Sequence, residues 1–271
     1  MVNRIGLAVV MAFALPAAAP PPSVSDLVSQ SVEAIETDWS LAPNYSFVER
    51  DVESKKDGKP TIKTERVLMI DGSPYNRLIA TDDQPLSSGD QVEEDRKLDR
   101  AAEKWPHESE RERSRRLGKY QKERRQNRAM LQGLVDAFDF RLVGEQVVNG
   151  HDCWVLQADP KPGYQPTSRE TKMLTGMAGR LWIDKREKQW VKVQAEVIKP
   201  VSFFGFFAKV QKGTRFLLEQ EPVGNGIWEP KHFSMQVNAS ALGFNQDSTD
   251  DETYSDYRPA ARALAQAHAQ K

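Results

Sequence analysis

Nine cations stand between positions 111 and 128: Arg111, Arg113, Arg115, Arg116, Lys119, Lys122, Arg124, Arg125 and Arg128. Only two carboxylates, Glu112 and Glu123, interrupt them. Such a run attracts anionic lipid headgroups, lipopolysaccharide or an acidic partner through charge alone. The same residues also suit a solvated helix face tied by pairs such as Glu112 with Arg116. Arg111, Arg115, Arg116, Lys119, Lys122 and Arg125 are the expected surface for an anionic partner. A second unusual run is Phe203-Phe204-Gly205-Phe206-Phe207. Alternation buries one face of a strand, so four phenylalanines in five positions ask for burial on both faces or for an apolar ligand. With Trp182, Trp190, Phe216 and Trp228 in neighbouring strand-like segments, Phe203, Phe204, Phe206 and Phe207 are the expected lining of an apolar pocket.

Residues for covalent or acid–base chemistry form no recognisable set. The chain has no Gly-rich phosphate loop, no His-Glu-x-x-His and no nucleophile elbow. His107, His151, His232 and His268 are scattered. Cys153, beside Trp154 in a strand-like run, reads as a small buried hydrophobe. His151 shares its strand without forming a catalytic pair. Asp184 ends a strand and enters a turn, where Asp is common for its local hydrogen bonding. Asp247, Asp250, Asp251, Glu252 and Asp256 form an acidic stretch able to dock the basic helix, but without the spacing or glycine of an EF-hand. No catalytic residue, metal or cofactor is expected, and the chain reads as non-enzymatic.

The elements that must position these residues follow from periodicity. Ser23 or Ser25 caps a helix to about Asp38, with Val28, Val32, Ile35 and Trp39 on one stripe. Tyr45 to Ser54, Thr61 to Ile70 and Tyr75 to Ala80 read as an antiparallel meander, joined at 56–59 and at Asp71-Gly72. Asp90 and Glu93 read as the start of a charged helical segment that Pro106 either breaks into two helices or kinks. The apolar end of this segment, Met130 to Phe138, is expected to dock and the charged part to project as an arm. A second β region follows, with Asn149-Gly150 as its strongest hairpin signal. Its strands read as Arg141 to Val148, Asp152 to Gln157, Gly179 to Asp184, Trp190 to Ile198, Phe203 to Val210, Thr214 to Gln220 and Ile227 to Val237. A polar stretch then runs to Pro259, before an Ala-rich tail.

The bulk numbers bound the class. A chain of 271 residues with 39% hydrophobic and 28% charged residues suits a globular fold, and a net charge of −1 supplies no global field for nucleic acid. One cysteine excludes an internal disulfide, so the fold must stand on core burial. Residues 1–19 read as a signal peptide: Arg4, an apolar Ile5 to Leu15, then Ala17 to Ala19. No Cys follows, so lipidation there is not expected, and no later stretch is apolar enough to span a bilayer. Periplasmic localisation follows, and export disfavours nucleic acid as partner. The expected class is α+β: a curved antiparallel sheet forming an unclosed half β-barrel against helices. The expected organisation is one domain over 23–259, a helical insertion at 90–139 and a tail at 260–271.

Within the second β region stand Gly150-His151-Asp152-Cys153-Trp154-Val155-Leu156, Leu181-Trp182-Ile183-Asp184-Lys185 and Gly226-Ile227-Trp228-Glu229-Pro230. With the order helix, strand pair, helical insertion and meander, the chain resembles the LolA/LolB/RseB-like superfamily of periplasmic proteins. That resemblance implies an unclosed β-barrel around helices with an apolar cavity for acyl chains. It brings no site residue with it. The implied function is a carrier or sensor for lipids or lipoprotein acyl chains in the cell envelope. The alternative is an envelope interaction module, structural or regulatory, acting on a protein partner through its charged helical arm. An envelope hydrolase would need a cleft with two carboxylates of separated acidity.

Overall fold

The computed structural model describes residues 22–55, 58–203, 208–241, 244–245 and 247–261. Helix α1 spans Val24–Leu41, and the Ser23 hydroxyl accepts a hydrogen bond from the Asp26 N–H at its start. Strands β1 (Tyr45–Lys55), β2 (Thr61–Ile70), β3 (Ser73–Thr81) and β4 (Gln84–Pro85) follow. Helices α2 (Ser88–Lys104) and α3 (Glu110–Ala137) come next, separated by a short 3-10 turn at Trp105–His107 that carries Pro106. Then come β5 (Phe138–Val148), β6 (His151–Pro160), β7 (Met177–Asp184), β8 (Trp190–Val197), β9 (Val201–Phe203) and β10 (Ala208–Val210). The chain closes its strands with β11 (Arg215–Gly224), β12 (Ile227–Val237), β13 (Ala239–Ala241), β14 (Phe244–Asn245) and β15 (Ser248–Pro259).

Among the described residues one sheet holds eleven strands in the order β4-β3-β2-β1-β15-β12-β11-β8-β7-β6-β5, every neighbouring pair antiparallel. It is curved and unclosed, with β4 and β5 at its two ends and helices packed against it, as the α+β half-barrel reading expects. Two hairpins owe their tightness to Asp71-Gly72 and Asn149-Gly150, whose residues all take positive φ (43°, 83°, 51° and 85°). Such turns twist with the strands they join, and Gly pays no Cβ penalty there.

The core lies between the sheet and the helices. Leu27 and Val28 of α1 and Leu131 of α3 pack on Leu156, Leu181, Ile183 and Trp190. A second cluster joins Ala137, Phe138, Ala158, Leu174, Met177 and Val197. Leu98 of α2 covers Leu68 and Ile70 of β2, and Arg77 pairs with Asp95 alongside.

Three local expectations are corrected. Helix α2 is capped by Ser87, and the reciprocal capping box belongs to Ser109 and Glu112 at the start of α3. The expected projecting arm lies down on the sheet. Arg116 reaches Asp71 and Ser73 of the β2–β3 hairpin, and Arg128 pairs with Glu36 of α1. The polar stretch before Pro259 is β15, in the middle of the sheet between β1 and β12. Two of its carboxylates find partners on other strands of the sheet, Asp251 with the His232 imidazole of β12 at 3.0 Å and Asp256 with Arg66 of β2 at 2.9 Å. This partnering replaces the apolar alternation that marks most strands. In addition, the run from Phe203 to Val210 is two short antiparallel strands, Phe203 pairing with Ala208.

Candidate functional site

A cavity of about 420 Å³ lies between the helices and the β1–β15–β12–β11 part of the sheet. Helix α1 supplies Ile35, Asp38 and Trp39, and α3 supplies Tyr120, Glu123, Arg124, Asn127 and Leu131. The sheet supplies Phe47, Leu218, Gln220, Trp228, Glu229, Pro230, Tyr254 and Tyr257. The volume suits a small organic ligand. Phe47 packs on Tyr254 and Tyr257 with ring centroids 5.8 and 5.4 Å apart, and the Tyr257 hydroxyl donates to the Pro230 carbonyl at 2.6 Å. These contacts fix three rings as one wall. The Arg124 guanidinium lies 4.7 Å from the Trp39 ring centroid and 5.6 Å from that of Tyr120. It thus closes the helix side by cation–π contact.

Two carboxyls of this cavity are shifted toward their neutral forms. Burial pushes the Glu229 carboxyl up to about 8, helped by the charge of Asp38 and opposed by Arg124. Burial also lifts Asp38 to about 6, although the Trp228 N–H donates to it at 3.1 Å. On β1, Glu49 rises to about 7 through burial and the nearby charges of Glu252, Glu65, Asp51 and Asp250. Glu229 Oε1 and Gln220 Oε1 are buried with no hydrogen-bond partner among the described residues. A neutral Glu229 makes the cavity floor less costly to dehydrate than a charged one.

A larger groove of about 560 Å³ runs along the sheet face turned away from the helices. Gln157, Arg180, Gln194, Glu196, Arg215 and Gln236 line it. Four of those groups pair with one another, Arg215 with Glu196 at 3.5 Å and Arg180 with Gln157 at 3.3 Å, and the ring-walled cavity is the better candidate.

The aromatics singled out by sequence are distributed over different places. Trp228 lines the cavity, and its indole Nε1 donates to Glu187 at 2.7 Å. Trp190 is in the core under α1, donating to Ser31 Oγ at 3.0 Å. Trp182 faces the other side of the sheet with Cys153, Val155 and Val191, and donates to Gln146 at 2.9 Å. Phe216 packs on the second core cluster and touches the outer groove. Phe203 ends β9, while Phe204, Phe206 and Phe207 lie outside the described residues. The 1–19 segment also lies outside them. Sequence reasoning missed Phe47, Tyr120, Leu218, Tyr254 and Tyr257 as cavity residues. Phe47 and Leu218 do sit in strand patterns, but nothing local says that two helices and four strands converge around them.

Cys153 is fully buried, and burial together with the Asp184 charge pushes its thiol up to about 11. It is therefore a neutral core group at physiological pH. Asp184 Oδ1 accepts from the N–H groups of Arg186 and Glu187 at 2.8 and 2.6 Å, which is the turn role its position suggests.

The cations of α3 divide by face. Arg116 is engaged, with Nε on Glu108 at 2.9 Å, Nη1 on Ser73 at 2.7 Å and Nη2 on Asp71 at 2.9 Å, above the Trp105 ring. Arg113 also reaches Asp71. Arg111, Arg115, Lys119, Lys122 and Arg125 are exposed and have no ion pair among the described residues. No helix among the described residues is long and apolar enough to cross a membrane.

No family model matches this sequence, and no curated protein matches it. Several solved structures are similar over most of both chains, three of which follow. One is a domain assigned to outer membrane lipoprotein sorting from Vibrio parahaemolyticus, with 9% identity, 85% of this chain and 92% of that chain covered, and a TM-score of 0.36. Another is a LolA superfamily protein from Nitrosomonas europaea, with 10% identity, coverage of 88% and 94%, and a TM-score of 0.34. The third is from the Pseudomonas aeruginosa MucA/MucB complex, with 13% identity, coverage of 87% and 98%, and a TM-score of 0.22. No residue role is carried over from them.

Proposed function

We propose that this chain is a non-enzymatic binding protein of the cell envelope whose cavity holds the acyl chain of a lipid or lipoprotein. The observation that carries the reading is the cavity itself: about 420 Å³ bounded by Ile35, Leu131 and Leu218 and by the rings of Trp39, Phe47, Tyr254 and Tyr257. A largely apolar and aromatic wall suits a ligand whose body is hydrocarbon, with Asp38, Glu123, Arg124, Asn127, Gln220 and Glu229 available to its polar end. With Glu229 held near 8, its carboxyl is mostly protonated at neutral pH, so an entering chain does not have to strip water from a full charge there. The envelope location rests on the signal-peptide pattern of Arg4, Ile5 to Leu15 and Ala17 to Ala19.

Leu218→Trp tests this reading by filling the cavity with a larger apolar ring. Uptake of a fluorescent fatty acid by the purified chain should fall at least tenfold, with an unchanged far-UV spectrum. A folded variant that takes up the probe as the parent does would remove the cavity as the binding site.

A further inference from the structure

We propose that the outward face of α3 is a docking surface for the anionic lipid headgroups of a membrane. Arg111, Arg115, Lys119, Lys122 and Arg125 follow one another at intervals of four, four, three and three residues. At 3.6 residues per turn this places all five within a face about 120° wide, along about 21 Å of helix. All five are exposed, and none has an ion pair among the described residues. The opposite side of the same helix is committed: Arg116 to Asp71, Ser73 and Glu108, Arg124 to Trp39, and Leu131 to the core. The helix is therefore held in place with its unpaired charges turned outward.

The chemistry of this face selects the partner. Ser114 and Gly118 are interleaved with the cations, so the face offers no apolar anchor. A protein partner would need a desolvated core at its interface, with aromatic or aliphatic anchors. A single-stranded nucleic acid would need rings to stack on, and Tyr120 is turned toward the cavity. A headgroup layer needs neither. Its phosphates are mobile and adjust to whatever spacing the cations present, and the attraction is purely electrostatic. With a net charge of −1 the whole molecule is not drawn to an anionic surface, so this face alone would orient it.

The test measures the full chain binding to phosphatidylcholine vesicles with and without phosphatidylglycerol. Binding should require phosphatidylglycerol and should weaken as salt shortens the screening length toward and below about 8 Å. The triple variant R115Q/K119Q/K122Q should lose on the order of 100-fold in affinity, about fivefold for each cation removed. Arg113→Gln, which removes a cation of the inward side, should bind as the parent does, without the roughly fivefold loss of an outward cation. Leu218→Trp should bind vesicles as the parent does, and the triple variant should still take up monomeric fatty acid. Surface docking and cavity occupancy therefore fail separately. Equal binding to both vesicle types, or a triple variant that binds as the parent does, overturns the proposal. So does binding of an acidic polypeptide or DNA with no binding of anionic vesicles.

Discussion

Glu229 is the carboxyl that its surroundings raise furthest above its ordinary range. An exposed glutamate would ionise near 4.5, whereas this one sits near 8 because burial outweighs Arg124. Between those values the folded protein holds a proton that the unfolded chain releases, so stability falls as pH rises from about 4.5 to about 8. Asp38, Glu49 and Asp250, all raised mainly by burial, add to the same trend. Glu229→Gln cannot ionise and escapes its share of the loss. It should be more stable than the parent at pH 8 by on the order of 3 kcal/mol, and nearly equal at pH 4.5. Urea unfolding at both pH values checks this, and parallel curves would show that the carboxyl titrates normally. Sequence showed Glu229 only as part of a Trp-Glu-Pro pattern. Its neutrality comes from burial, reinforced by the charge of Asp38, 191 positions earlier in the chain, and held against the opposing charge of Arg124 of α3.

At the scale of elements, α3 is legible in outline and not in placement. Of the two outcomes open at Pro106, a break or a kink, the structure has the break, and the apolar end docks through Leu131 and Leu134. The charged part docks as well, because Arg116 satisfies Asp71 and Glu108 at once while stacking on Trp105. Composition does not distinguish an arginine that projects into water from one that clamps a hairpin. Arg116→Ala should destabilise the protein by about 3 kcal/mol, since it leaves the largely buried Glu108 side chain without its cation. Arg116→Lys should recover little, because a single ammonium cannot bridge Asp71, Ser73 and Glu108 together. Thermal unfolding of both variants measures this, and a full rescue by Lys would reduce the clamp to a simple charge effect. The hairpins were read more directly: Asp71-Gly72 and Asn149-Gly150 need positive φ, and few residue pairs supply it.

For the whole molecule the decisive strand is β15. It pairs with β1 through most of its length and with β12 on its other edge, joining the first meander to the second. Ending the chain after Asp247 would separate β1 from β12 and expose both edges. The truncated chain should lose cooperative unfolding, whereas ending it after Ala261 should leave the described fold and its thermal midpoint nearly unchanged. A sigmoidal melt from the shorter chain would mean that the two meanders hold together without their bridge.

Local physics in the sequence determined the helix periodicities, the Asp-Gly and Asn-Gly turns, the antiparallel α+β class and the buried role of Cys153. These depend on residues a few positions apart, and the chain reports them directly. The tertiary structure alone decided that a carboxylate-rich tail segment enters the middle of the sheet. It also decided that Trp182 and Trp190 occupy opposite faces, and that Phe47, Leu218 and Tyr257 meet around one cavity. Each of those outcomes depends on pairing register and long-range closure, where a shift of one residue exchanges the two faces of a strand.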